Sequence, residues 1–454
     1  MDSIITYVRS EHSRYIDELT QYLAVPSISA DDDTDGNIQR CAQMTADFLT
    51  AAGMHNAKVN KTARHPVVTA EWLGAPGAPT IIIYGHYDVQ PVDPLELWDR
   101  PPFEAYVKND RIIARGSSDD KGQLFIHIKA VEAVLKKTGK LPINVKFLLE
   151  GEEEIGSPSL PAFLREHKKE LTGDIIVISD TDMHGPGIPA ITYGLKGLAY
   201  MELEVIGPDH DLHSGEYGGA VANPVEILAR MIATVKDEHG RIQIPGFYDK
   251  VIPISPLEKA SIAKVPFDEP AYLKRLDVEE LWGEAPYTPR ERTWARPTFE
   301  VNGMWGGFIG KGAKTVLPSK AGAKISMRLV ANQEPAEIED MAEKYFTSIA
   351  PKSVKVKVIR HHGGRPVMVP LDNPFLQTAS RALTDAFGHE PYYKRTGGSI
   401  PIVADFKTIL GLDSLLIGFS LSDARAHSPN ENFYLPSFFT GIEASIRLMY
   451  YLAK

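Results

Sequence analysis

Three apolar runs in the first half of this chain each stop on residues that bind metal ions or protons. Ile81, Ile82 and Ile83 lead to His86 and Asp88, Ile175 to Ser179 lead to Asp180 and Asp182, and 144–149 lead to Glu150 and the acidic run Glu152, Glu153, Glu154. Short β-branched runs of this kind predict strands, and 80–84 reads as a strand buried on both faces. Such strands belong to a sheet covered by helices, and open α/β sheets bind ligands at the carboxyl ends of their strands. The charge is therefore expected to gather at one edge of one sheet.

The rest of the chain supplies the covering layers. Helical spacing is found at 4–23, 38–52 and 123–137, the last stopped by Gly139, and a strand is expected at 67–72. A further helix is expected after Ser157 as its cap, with Pro158 in the first turn. From about Tyr193 the pattern changes to strand 199–206, helix 224–236, strands 298–303 and 321–330, helix 335–349 and strand 354–360. That β-α-β-β-α-β order is the ferredoxin-like split motif. An irregular excursion rich in proline and charge, 240–296, interrupts it and is expected to touch a partner or substrate. Helix 374–387, strand 414–418 and helix 436–452 then resume the first pattern. The expected fold is α/β: a three-layer, phosphorylase/hydrolase-like domain with a mixed sheet, formed by 1–193 and 366–454. An inserted α+β domain, 194–365, interrupts it.

Bulk properties narrow the function. A net charge of −10 and a pI near 5.8 argue against nucleic acid and anionic lipid as partners. No run approaches the roughly 20 apolar residues of a membrane span. Asp2, Arg9, Glu11, Arg14 and Asp17 break up the N-terminus, so a secretory leader is not expected and a cytoplasmic location is. The single cysteine, Cys41, removes thiolate metal sites, which leaves nitrogen and oxygen ligands.

Those ligands recur at strand ends. His86 and Asp88 are two apart on an extended chain and share a face, so His86 can bind metal while Asp88 holds its other ring nitrogen. Asp119 and Asp120 precede a helix start, and Asp119 is the candidate bridging ligand. Four carboxylates crowd the strand end at 150–154, a repulsion that a cation would relieve. Either Asp180 or Asp182 is expected to be a ligand, and His427 lies in a loop near the C-terminus. Each has an ordinary reading as a local hydrogen bond, a cap or a solvated loop. Their coincidence at the strand ends of one sheet points to a site for a pair of divalent ions, and hence to a hydrolase.

Several strings then carry a resemblance: 85–91 (GHYDVQP), 115–122 (RGSSDDKG), 150–157 (EGEEEIGS), 191–197 (ITYGLKG), 211–215 (DLHSG), 397–401 (GGSIP) and 426–431 (AHSPNE). Together they resemble the dinuclear zinc peptidase family of cytosolic non-specific dipeptidases and carnosinases, aminoacylases, glutamate carboxypeptidase and succinyl-diaminopimelate desuccinylase, with the dipeptidase branch nearest. The resemblance spans essentially the whole chain. It implies one ion held by His86, Asp119 and Asp180 and another by Asp119, Glu154 and His427. It also implies Glu153 as general base, Asp88 as the residue orienting His86, and a cis bond between Asp119 and Asp120. His213 would stabilise the oxyanion in a partner subunit, and Arg328, Thr315, Ser399 and His362 would hold the substrate carboxylate, with Arg395 and Asn302 as further candidates. The ions would be zinc, with manganese or cobalt as alternatives. The implied enzyme is a homodimeric dipeptidase acting on small peptides, hinged near 193–197 and 362–366. A deacylase of N-acyl amino acids or a carboxypeptidase is the alternative, and a catalytically silent metal-binding scaffold the distant one.

Overall fold

The computed structural model describes residues 1–454 except Asp32, His362, Gly398 and Ser399, and only the backbone of Pro401. The chain forms two compact units. Met1–Tyr193, Val369–Lys394 and Pro401–Lys454 make the first, Gly194–Met368 with Arg395–Ile400 the second.

The first unit is built on a mixed sheet. Its strands lie in the order His55–Asn60, Val67–Trp72, Asn144–Glu150, Thr80–His86, Ile175–Ile178, Ser414–Leu416 and Ala190–Leu195. The four from Asn144–Glu150 to Ser414–Leu416 run parallel, so their carboxyl ends meet at one edge. The register sets His86 directly beside Glu150 and Tyr84 beside Ile178. Every residue of Asn144–Glu150 and all but the first of Thr80–His86 are buried, as expected for strands covered on both faces.

Helix Lys121–Thr138 starts at the ligand edge and is buried along its first fourteen residues, packing against helix Leu435–Leu452. Gly139, at φ +72°, ends it in the left-handed conformation that glycine adopts without strain. Within this helix His127 Nε2 lies 2.7 Å from Ser179 Oγ, which itself donates to the carbonyl of Ile417. The imidazole must therefore be the donor, and burial holds its pKa down to about 4. It ties the helix to two neighbouring strands as a neutral group.

The second unit contains a four-stranded antiparallel sheet in the order Thr298–Gly306, Lys320–Leu329, Gly197–Ile206, Lys355–Arg360. Strict alternation of buried and half-buried positions along Gly197–Ile206 gives the sheet one apolar face. Met201, Leu203, Val205, Ile325 and Met327 on that face pack with Leu228 and Met231 of helix Pro224–Ala233 and Phe346 of helix Pro335–Ile349. Order and directions are those of the ferredoxin-like motif.

Two expectations change. Ser157 does not cap the next helix: it sits at φ +53° and donates through Oγ to Glu150, while helix Leu160–Glu166 begins after Ser159. The excursion is not irregular, because it contains helices Pro256–Lys264, Glu269–Leu276 and Pro289–Ala295. Their signals are present in the sequence: Ser255, Asp268 and Thr288 each cap a helix with proline in its first turn, and Thr288 and Glu291 form a capping box.

At the end of strand Ser414–Leu416, a Cβ on Gly418 would lie 1.6 Å from the carbonyl oxygen of Thr181. Backbone cannot yield as a flexible side chain would. Gly418→Ala is therefore expected to lower stability by about 3 kcal/mol or more, read as the denaturant midpoint, and an unchanged midpoint would show that the strand ends can separate.

Candidate metal centre

All five candidate ligands belong to the first unit, and they converge. His86, Asp119 and Asp180 each place one ligand atom within 4.8 Å of the others, as do Asp119, Glu154 and His427. Asp119 is common to both groups and divides its two oxygens: Oδ1 is 3.1 Å from His86 Nε2, Oδ2 is 2.9 Å from His427 Nε2. His427 Nε2 is also 3.2 Å from Glu154 Oε2, and Asp180 Oδ2 is 4.0 Å from His86 Nε2. With metal–ligand bonds of about 2.0–2.1 Å, neighbouring ligands of a tetrahedral site stand about 3.3 Å apart. The spacings have that size.

The tautomer of His86 supports the same reading. Its Nδ1 lies 3.1 Å from the backbone carbonyl of Asp88, which requires an Nδ1–H donor, so Nε2 is the atom left for an ion. Against burial, Asp119 and Asp88 hold the imidazole's pKa well above its ordinary value, and a cation would displace the Nε2 proton. That Nε2 is wholly buried and has no aligned hydrogen-bond partner. An orphaned imidazole nitrogen facing carboxylates fits a divalent cation, and a donor set of nitrogen and oxygen without sulfur suits zinc, manganese or cobalt.

The acidic run 150–154 is sorted residue by residue. Glu150 accepts from Tyr84 Oη at 2.6 Å and from Ser157 Oγ at 2.8 Å, and burial pushes its pKa up to about 8. Glu152 belongs to neither ligand group and accepts instead from the amides of His65 and Ser159 and from Ser159 Oγ. Glu153 and Glu154 form a single 3-10 turn, whose amides donate to the two carboxylate oxygens of Asp88 at 3.2 and 3.1 Å. Gly151 makes this turn possible, since a Cβ there would lie 2.7 Å from the Tyr87 ring. Asp88 thus touches His86 through its carbonyl, with its carboxylate 3.4 Å from Nδ1, and steadies the neighbouring acidic turn through that carboxylate.

Electrostatics follow from this crowding. Burial, then Asp119, Glu154 and Asp88, raise Glu153 to about 7 against the opposing pull of His86. Burial with Asp119 and Asp120 holds Asp180 well above the usual carboxylate range. Asp119, though buried, is held below that range by the two imidazoles. His427 is raised to about 10 by Asp119 and Glu154. Asp182 lies outside both ligand groups and faces Lys394 and Ser420 instead. One contributor was missed: Gln90 Nε2 donates to Glu154 Oε2 at 2.8 Å, and its signal was the two-residue spacing from Asp88. The Asp119–Asp120 bond is cis.

The other candidates lie in the second unit. His213 is exposed and accepts at Nδ1 from the amide of Gly215, and its strand pairs with Val316–Leu317, which sets Thr315 beside it. Arg328 is half-buried in strand Lys320–Leu329, opposite Leu198 and Thr298. The buried Lys196 is depressed to about 7 by burial and then by Arg328, Arg395 and Arg296. Arg395 is paired with Glu258 and Arg296 with Glu284, so Arg328 and Lys196 give this region its positive bias. Ser399 and His362 lie outside the described residues.

Similarity to known proteins is extensive. The pattern of peptidase family M20/M25/M40 matches residues 82–451. The chain is 30% identical to the Cys-Gly metallodipeptidase of Candida albicans, over 97% of this chain and 95% of that protein. It is 30% identical to the human Beta-Ala-His dipeptidase, over 95% and 88% respectively. The crystal structure of an M20 family metallo-carboxypeptidase from Sulfolobus solfataricus superposes with a TM-score of 0.82 at 34% identity, covering 97% of this chain and 99% of that one.

Carboxyls that hold protons near pH 7 must give them up to bind a cation. Loading a divalent ion at pH 6 is expected to release protons, and affinity to fall as pH drops and the ligands His427, raised to about 10, and Asp180, held above the usual carboxylate range, take up protons. A pH indicator in weak buffer reads this directly; uptake without proton release would contradict the charge arrangement.

Proposed function

The chain belongs to peptidase family M20/M25/M40, and we propose that its centre carries two divalent ions, zinc foremost, and that Glu153 is the general base. The protein is a metal-dependent dipeptidase. The single observation that carries the two-ion reading is Asp119, with one oxygen turned to each imidazole. In it, His86, Asp119 and Asp180 hold one ion and Asp119, Glu154 and His427 the other.

Ions so placed supply Lewis-acid polarisation of the scissile carbonyl and acidify water at the site. The protein does the rest. Glu153, raised to about 7, is poised to take a proton from water as the carbonyl carbon is attacked and to return it to the leaving amine. Asp88 keeps that carboxylate in place through the amides of Glu153 and Glu154. Arg328 and Thr315, with Ser399 and His362, are the proposed holders of the substrate's free carboxylate. The cationic bias around Lys196 favours such a group.

The assembly proposed is a homodimer formed by the second unit as lid and dimerisation domain, with His213 serving the partner's oxyanion. Two features support it. Strand Thr298–Gly306 is an exposed sheet edge, a ready template for another chain. The end of that strand exposes Met304 and Trp305, and the segment that follows exposes Phe308 and Ile309, Ile309 at 93% exposure. A cytoplasmic location is proposed on the single buried thiol, Cys41. No helix among the described residues is long and apolar enough to cross a membrane.

A carboxypeptidase reading has one specific support, the similarity to the Sulfolobus enzyme. A panel of dipeptides, longer peptides and N-acyl amino acids separates the alternatives: turnover is expected on dipeptides, and turnover confined to either other class would reverse the assignment. Glu153→Gln should cut kcat at least about 100-fold while binding the same number of ions; retained turnover would remove Glu153 as base. Ile309→Asp should convert a dimer to a monomer in sedimentation and lose activity with it. A dimer that survives both unchanged would move the interface elsewhere.

A further inference from the structure

Glu431 is wholly buried beside the metal centre, contributes to neither ligand group and takes no part in the proton transfers above. Its carboxylate nevertheless accepts four hydrogen bonds. Oε2 receives Arg115 Nη1 at 2.8 Å and the amide of Gly116 at 2.9 Å; Oε1 receives the amides of Ser118 at 2.8 Å and Asp119 at 3.0 Å. All four donors belong to the loop that ends in the shared ligand Asp119. Glu431 itself lies four residues after His427. One carboxylate therefore joins the two loops that supply ligands to the second ion.

The two ion positions differ in how much they need that joint. His86 ends a strand paired on both sides within the sheet, and Asp180 follows the next strand, so their separation is set by ladder hydrogen bonds. His427 stands on a loop in which Arg425, His427 and Asn430 all adopt positive φ, and its imidazole is more than half exposed. That loop is anchored where it returns: Asn430 donates to the carbonyl of Leu97 and accepts from the amide of Asp99, and Ala114 N donates to the carbonyl of Glu431. Residues 432–434 then pair with Arg111–Ile113. Among the described residues, it is the Glu431 side chain that reaches from this anchor to the backbone of Asp119.

We infer that Glu431 is a positioning residue that holds Asp119 at a fixed distance from His427 and so builds the second ion position, whereas in the first the sheet itself sets two of the three ligands, His86 and Asp180. The inference rests on the two-ion reading of the centre. Glutamine at 431 keeps the shape but presents one acceptor and one NH2, so two of the four donors lose their partner and Arg115 loses its counter-charge.

The test is titration of the metal-free protein with zinc or manganese, read by calorimetry and by metal analysis after gel filtration. Wild type is expected to take two ions. Glu431→Gln is expected to bind the ion of Asp119, Glu154 and His427 roughly 10- to 100-fold more weakly, as removal of a group orienting a ligand typically does, and to weaken the ion of His86, Asp119 and Asp180 clearly less. Equal weakening of both ions, or of neither, overturns the inference. Hydrogen exchange on metal-free wild type covers the case in which the variant does not fold. The amides of Gly116, Ser118 and Asp119 should be protected without any ion, because their acceptor is Glu431, and rapid exchange there overturns the inference as well. A wild type that takes a single ion refutes the two-ion reading instead, and the exchange result still decides the role of Glu431.

Discussion

Negative charge collected at one end of a sheet is the condition that the rest of this structure answers. Asp88, Asp119, Asp120, Glu150, Glu152, Glu153, Glu154 and Asp180 reach the same strand ends, and burial there disfavours the ionised forms of Asp120, Glu150, Glu153 and Asp180. Different neighbours resolve different members. Tyr84 and Ser157 donate to Glu150, which burial keeps protonated at neutral pH. Backbone amides satisfy Glu152 and Asp88. Two imidazoles stabilise Asp119. What is left over, at Glu153 and Asp180, is raised carboxyls beside the ligand atoms of His86 and Asp119, an arrangement that a dication would relieve.

The same crowding explains why the chemistry is hydrolytic. A carboxylate that is merely solvated has a pKa too low to retain a proton at neutral pH, whereas Glu153 is lifted to where it can accept and return one. Its position is inherited from the fold: Asp88 follows one strand, Glu153 another, and parallel pairing brings their ends together. In the second unit the problem has the opposite sign. Lys196 is buried among arginines, and the cationic excess suits an anionic group on the substrate.

Much of this is legible in the amino-acid sequence. The strand runs at 80–84, 144–149 and 175–179, the helix stopped at Gly139 and the β-α-β-β-α-β order all carried local signals that the tertiary fold did not override. The three helices of the excursion are legible too, through Ser255, Asp268 and Thr288 with their prolines, although the proline and charge of 240–296 read as irregular chain. Ser157 misled for a different reason. It has the cap residue and the following proline, but Glu150 competes for its hydroxyl.

The sequence by itself determined which residue types stand at the strand ends, because apolar period and chain direction put them there. It could not decide among identical carboxylates. Glu152 and Glu154 are two residues apart, as are Asp180 and Asp182, and nothing local separates them. Tertiary structure decided, by placing the amides of His65 and Ser159 where Glu152 points and His427, from 273 residues further on than Glu154, where Glu154 points. A carboxylate's role is set by what faces it, and what faces it here comes from distant parts of the chain.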